Sequence, residues 1–220
     1  MQPVPAQTFK AILFDKDGTI FDSEAIYRES WVKAATEMGY HFTSEMYDPF
    51  VGVRAVESYQ GAQKLFGDDF PIDKFIERTG YYNKQAKLAG MPIKPGFNAF
   101  FDQAKKLAIP LGLVTSAVHD AAITTFHGTD FLDYFQIIVT GDMVEQPKPD
   151  PSCYLMACKQ LGLAPHEVLV FEDSNAGVAA AIQAGCQTAA IPDYLPVKPE
   201  LLNNATYVFN SFADAIYLVG

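Results

Sequence analysis

Residues 11–14 read "AILF", a short unbroken apolar run with Lys10 before it and Asp15 after it. A run of that length, bounded by charge, predicts a buried strand over 10–15. The pattern then changes. Ile26, Trp31, Ala34, Ala35 and Met38 fall near a spacing of 3.6, so 23–39 reads as a helix, with Asp22 or Ser23 as its cap. Two more helices follow, 54–66 ended by Gly67 and 71–89 ended by Gly90. Nothing between 22 and 90 alternates as a strand would.

After "MPIKPGF" the chain alternates. Phe97, Phe100, Phe101, Ala104 and Leu107 mark a helix over 97–107. "PLGLVTS" is a strand, and a helix runs on to about residue 126. "FQIIVTG" (135–141) is a strand, and Pro151 suits the first turn of a helix over 151–161. "EVLVFED" (167–173) and "QTAAI" (187–191) are strands around a helix over 175–184, which Gly185 closes. A short strand near 206–209 and a helix over 211–219 end the chain.

Strands alternating with helices predict a parallel sheet with right-handed crossovers, covered on both faces. The expected class is α/β: a doubly wound, Rossmann-like parallel sheet with five central strands. The helical block interrupts the series after the first strand. It is expected to form a small all-helical cap domain over 22–90, while 1–21 and 91–220 form the core domain.

Composition narrows the function. The chain has 220 residues, 49% hydrophobic and 19% charged, enough for a substantial core. Its net charge of −10 repels nucleic acid and anionic membrane surfaces. No apolar run approaches the roughly 20 residues that cross a bilayer, and "MQPVPAQTFK" lacks the layout of a signal peptide. A cytoplasmic protein is expected, monomer or homodimer. Cys153, Cys158 and Cys186 form no CxxC pair and read as reduced core or helix residues. Cys153 and Cys158, five apart on one helix, are expected on different faces. The four histidines match no ligand spacing, although His119 lies close after Thr115. Trp31 reads as core of the helical block, with substrate stacking as the alternative.

Functional groups of an open parallel sheet gather beyond the carboxyl ends of its strands. Asp15 and Asp17 follow the first strand, Thr115 and Ser116 the second, Lys148 the third, and Glu172 and Asp173 the fourth. Asp15 and Asp173, with Glu172 behind, make a hard oxygen site of the kind Mg²⁺ takes. Lys148 adds a second cation and the hydroxyls add donors. Such a set suits phosphoryl transfer, and its local positive charge offsets the acidic whole.

These segments resemble the haloacid dehalogenase-like hydrolase superfamily over almost the whole chain. "FDKDGT" is similar to its DxDGT signature, "VTS" to its Ser/Thr motif, Lys148 in "QPKPDP" to its lysine, and "VFEDSNAGVAAAIQAG" to its acidic motif. The helical insertion resembles the cap that follows the first motif. The resemblance implies that Asp15 is the nucleophile and Asp17 the general acid and base. It implies that Asp15, Asp173 and the Asp17 carbonyl hold Mg²⁺, and that Lys148 offsets charge. Thr115 or Ser116 would bind a phosphate oxygen. Glu172 would be a supporting residue, or a ligand through water. Gly18 and Thr19 would shape the turn into the cap.

The second Asp argues against the dehalogenase and phosphonate-cleaving branches, which lack it. A phosphatase on a small phosphorylated metabolite, of sugar phosphate or phosphoglycolate type, remains beside a mutase similar to beta-phosphoglucomutase. The mutase carries a His ten positions after the second Asp. Tyr27 stands there in this chain, which weighs for the phosphatase. Arg54 in "VGVRAVE" is the expected cap residue for specificity. A receiver-type phospho-switch would need an acceptor Asp after the third strand, where "VTG" stands instead.

Overall fold

The structure is a computed structural model that describes residues 9–51, 53 and 55–220. Arg54 lies outside the described residues. β1 (Ala11–Phe14) is buried at every position, as its unbroken apolar run requires. β2 (Leu111–Val114), β3 (Phe135–Val139), β4 (Val168–Glu172), β5 (Gln187–Ala190) and β6 (Tyr207–Val208) follow. They form one parallel sheet in the order β3-β2-β1-β4-β5-β6, the doubly wound arrangement expected. The order reverses at β1, so a crevice opens between the ends of β1 and its neighbours.

Helices cover both faces. α4 (Phe97–Lys106) sends Phe97, Phe100 and Phe101 against Phe14 on β1, and Phe97 and Phe100 also meet Phe212 of α9 (Phe212–Ala215). α6 (Ser152–Leu161) and α7 (Asn175–Ala184) pack Tyr154, Ala157, Ala180 and Ala181 on the other face. Gly185 ends α7 in the left-handed region, with its N–H on the Ile182 carbonyl.

Between β1 and α4 lie α1 (Glu24–Glu37), α2 (Ala55–Phe66) and α3 (Ile72–Ala89). They enclose an apolar cluster of their own around Trp31, Phe42, Tyr47 and Phe75. Trp31 is its centre, stacked on Tyr59 with rings 10° from parallel and centroids 5.4 Å apart. The chain enters and leaves this layer side by side. Asp22 N–H donates to the Pro92 carbonyl and Lys94 N–H to the Ile20 carbonyl, each at 2.9 Å. Two adjacent extended segments therefore join the helices to the sheet.

Four local expectations need correction. Ser23 precedes α1 in a helical conformation (φ −97°, ψ −23°), so its hydroxyl caps no N–H of the helix. Cys153 and Cys158 do not face apart: both are buried in the cluster between α6 and the sheet. The last helix is one α-turn, Phe212–Ala215, followed by a 3-10 turn, Ile216–Val219. α8 (Pro199–Asn204) was not expected, because "PELLNN" is short and carries little apolar period.

Candidate active site

Asp15 continues the ladder of β1, its N–H on the Phe171 carbonyl at 3.0 Å. The register sets Phe14 beside Phe171. The side chains that follow, Asp15 on one strand and Glu172 and Asp173 on the other, thus emerge together. A carboxylate oxygen from each lies within 4.8 Å of the others. Thr115 follows β2, with its N–H on the Val139 carbonyl at 2.9 Å.

Lys148 reaches in from the loop after β3. Its ammonium donates to Asp15 Oδ1 and Glu172 Oε1, both at 2.6 Å, and to the Val114 carbonyl at 3.3 Å. Glu172 is fully committed. Oε1 also accepts from the Tyr154 hydroxyl at 2.5 Å, and Oε2 accepts from Asp173 N–H and the Ser174 hydroxyl. Among the described residues, the Asp173 side chain accepts only from the Thr19 hydroxyl, at 3.0 Å. Two glycines let the backbone come this close. A Cβ on Gly18, already at φ +79°, would lie 2.2 Å from Asp173 Oδ2. A Cβ on Gly177 would lie 1.9 Å from the Glu172 carboxylate.

Of the three clustered carboxylates, Asp15 and Glu172 share the Lys148 ammonium. Burial pushes the Asp15 carboxyl up to about 7, with Glu172 and Asp17 adding to it and Lys148 opposing. Asp173 is driven well above the usual carboxylate range by burial, then by Glu172 and Asp15. Burial opposes the charge on Lys148, but Asp15 and Glu172 hold its pKa above the usual value. Two negative charges remain that a divalent cation would balance. Hard carboxylate oxygens on Asp15 and Asp173, with Glu172 occupied behind them, fit Mg²⁺.

Residues 12–191 match the model of the haloacid dehalogenase-like hydrolase family. The chain belongs to this family. A phosphorylated carbohydrates phosphatase of Thermotoga maritima is 30% identical over 178 residues, 81% of this chain and 82% of that protein. Hexitol phosphatase A of Escherichia coli is 32% identical over 208 residues, 92% of this chain and 91% of that protein. A solved structure from Thermotoga maritima, described as a candidate beta-phosphoglucomutase, superposes with a TM-score of 0.78 at 28% identity. It covers 91% of this chain and 94% of its own. Among haloacid dehalogenase-like hydrolases, the chain thus sits in the branch of phosphatases and beta-phosphoglucomutase-like proteins.

The family site opens into a cavity of about 780 Å³ between the sheet ends and the helical layer. Asp15, Asp17, Thr115, Ser116, Lys148 and Asp173 all line it. Glu172 lies behind them, fully buried. Thr115 is buried, and its hydroxyl oxygen accepts from Ala117 N–H at 3.2 Å, while Ser116 is exposed. His119 is on the surface, its ring beside Asp120.

Sequence reasoning missed how Asp17 is held. Its Oδ2 meets the ammonium of Lys16 at 2.5 Å, and its Oδ1 accepts from the Tyr27 hydroxyl at 2.9 Å. Lys16 is wholly buried. Burial opposes ionisation of Asp17, but Lys16 and Lys87 outweigh it and lower its pKa. A lysine inside the apolar stretch "AILFDKDGTIF" was the available signal. Lys87 on α3 donates to the Ala121 carbonyl at 2.8 Å, and burial lowers it to about 8. No described helix is long and apolar enough to cross a membrane.

Proposed function

We propose that this haloacid dehalogenase-like hydrolase is a Mg²⁺-dependent phosphatase of small sugar or polyol monophosphates. In this reading residues 1–21 and 91–220 form the catalytic core and 22–90 the cap. The observation that carries it is Lys148, 2.6 Å from Asp15 and from Glu172, on the floor of a cavity roofed by helices. The relatives named as phosphatases of phosphorylated carbohydrates and hexitols support the substrate class.

Asp15 attacks phosphorus, the ester P–O bond breaks, and an aspartyl-phosphate forms. Asp17 gives its proton to the departing alkoxide, then takes one from the water that attacks phosphorus and releases phosphate. Lys148 favours the anionic form of Asp15 against the effect of burial and offsets charge on the transferring group. Thr115 uses its oxygen as an acceptor for Ala117 N–H, so its proton is free for a phosphate oxygen. Mg²⁺, held by Asp15, Asp173 and the Asp17 carbonyl, would neutralise phosphate oxygens so that an anionic nucleophile can approach. Tyr154 and Ser174 orient Glu172, which orients Lys148. The two extended segments at Ile20–Asp22 and Pro92–Lys94 would let the cap open and close, excluding water during reaction.

Tyr27 in place of the mutase histidine supports hydrolysis over mutase chemistry. Three buried free cysteines support a reducing cytoplasm, and the net charge of −10 supports small-molecule over nucleic-acid substrates. The test is phosphate release from a panel of small monoesters, with Mg²⁺ and with chelator, for the parent and Asp15→Asn. Mg²⁺-dependent release that vanishes in Asp15→Asn is expected. Conversion of beta-glucose 1-phosphate to glucose 6-phosphate without release would make the mutase reading correct.

A further inference from the structure

Two oxygens in the cavity wall are withdrawn from solvent and have no hydrogen-bond partner among the described residues: Glu24 Oε2 and Asn83 Oδ1. Glu24 opens α1, seven residues after Asp17, and Asn83 lies on α3, which packs beside α1. Tyr47 lies beside Glu24 in the cavity lining. Buried acceptors normally find a donor, and a pair left open on a ligand cavity calls for one. We infer that Glu24 and Asn83 form a hydroxyl-recognition edge that selects phosphate monoesters with free hydroxyls on a neutral carbon chain. Esters ending in a carboxylate or a second phosphate are disfavoured. The inference rests on the phosphatase reading for the position of the phosphate, and assigns the far end of the substrate.

Both groups suit hydroxyls: burial raises the Glu24 carboxyl to about 7, and ionised or neutral it finds a partner in a hydroxyl, which both donates and accepts. Carboxylate and amide carbonyl oxygens accept, and sugar or polyol hydroxyls donate. A substrate lacking those hydroxyls leaves both acceptors unpaired in a closed site, a discrimination that apolar contact alone does not reach. Asp17 and Asp193 add negative charge around Glu24. A distal carboxylate or phosphate brought there meets repulsion. Lys87, on the same wall, is tied to the Ala121 carbonyl. Phosphoglycolate, within the range expected from sequence, is therefore the poorer substrate.

The test uses the Asp15→Asn protein with Mg²⁺, which keeps the ligand intact. Calorimetry compares sorbitol 6-phosphate, 2-phosphoglycolate and fructose 1,6-bisphosphate. Sorbitol 6-phosphate is expected to bind best, by roughly tenfold over 2-phosphoglycolate. Adding Asn83→Leu or Glu24→Met should each shrink that preference about tenfold, since each removes one acceptor. Asn83→Leu removes an unpaired polar atom without stranding another, so its thermal midpoint should not fall. A parent without the preference, or a preference that survives both variants, overturns the inference. Selective binding by a parent that releases no phosphate from any ester would support the hydroxyl edge and overturn the hydrolase reading.

Discussion

The Tyr27 hydroxyl donates to Asp17 Oδ1 at 2.9 Å, from the first helix of the cap layer to the loop after β1. That bond aims the carboxylate proposed as acid and base, and it exists only when cap and sheet meet. A donor on the ionised carboxylate favours that form. Tyr27→Phe should lower kcat about tenfold, a fraction of what a positioned acid–base group supplies, with KM little changed. With hydrolysis of the aspartyl-phosphate limiting kcat, Asp17 is the base of the slow step, and the acid limb of the kcat profile should move up, because Asp17 becomes easier to protonate. An unchanged kcat and an unmoved limb would show that Tyr27 is packing only.

Lys16 makes the stronger contact with the same carboxylate, 2.5 Å from Asp17 Oδ2 and wholly buried. Burial alone would raise Asp17; Lys16 is the largest influence that lowers it. In Lys16→Met the burial remains and the ammonium is gone. The acid limb should then rise by roughly 1–3 units, more than for Tyr27→Phe. Stability follows the same sign. A lowered carboxylate contributes stability above its unfolded value, near 4, and loses it as pH falls through the folded value. Urea titrations of the parent should therefore show this contribution failing only below about pH 4, whereas Lys16→Met should be less stable at neutral pH.

The sheet and its strand-end chemistry were legible because each rests on local pattern. An apolar run of four followed by Asp, and a single Lys between prolines in "QPKPDP", keep their meaning wherever the chain goes. The parallel order then brings Asp15, Thr115, Lys148 and Asp173 to one cavity. The supporting residues were not legible. Tyr154 sits in the apolar stripe of α6, and nothing in that stripe tells that its hydroxyl meets Glu172. Glu24 and Asn83 lie on different helices, and only tertiary packing lines them up on one wall. Ser23 has the right residue type for a cap and the wrong backbone angles for one. Spacing encodes faces of single elements; convergence between elements is set by packing.

Among the described residues, Asp173 is the least compensated of the clustered carboxylates, with one hydroxyl donor and no paired cation. Its pKa is raised by burial, then by Glu172 and Asp15. A raised carboxylate gives its full stability below the unfolded value, near 4, and that stability drains away as pH climbs toward the folded value. Without divalent cations the parent should melt lower at pH 7.5 than at pH 5.5, and Mg²⁺ should restore the difference. Asp173→Asn should raise the metal-free midpoint by about 2–4 °C, as for roughly 1 kcal/mol in a chain of this size. It should also shrink the pH slope, Asp15 keeping its own share, and remove the Mg²⁺ increment. A full Mg²⁺ increment in Asp173→Asn would take this residue out of the metal site.

Lys148 and Glu172 form a buried pair in which each satisfies the other, and Asp15 shares the same ammonium. Removing one partner of a buried pair strands the remaining charge. Lys148→Met should cost roughly 3 kcal/mol, lowering the thermal midpoint by about 6–12 °C, and should abolish turnover. Glu172→Gln in the Lys148→Met background removes one of the stranded charges. The double variant should therefore be more stable than Lys148→Met alone, while remaining inactive, because Asp15 still lacks its cation. The double-mutant cycle separates the two roles of Lys148: its coupling to Glu172 appears in stability, and its coupling to Asp15 appears in turnover. Additive stability losses would mean that Glu172 and Lys148 act independently, and that Tyr154 and Ser174 hold the glutamate without reference to the lysine.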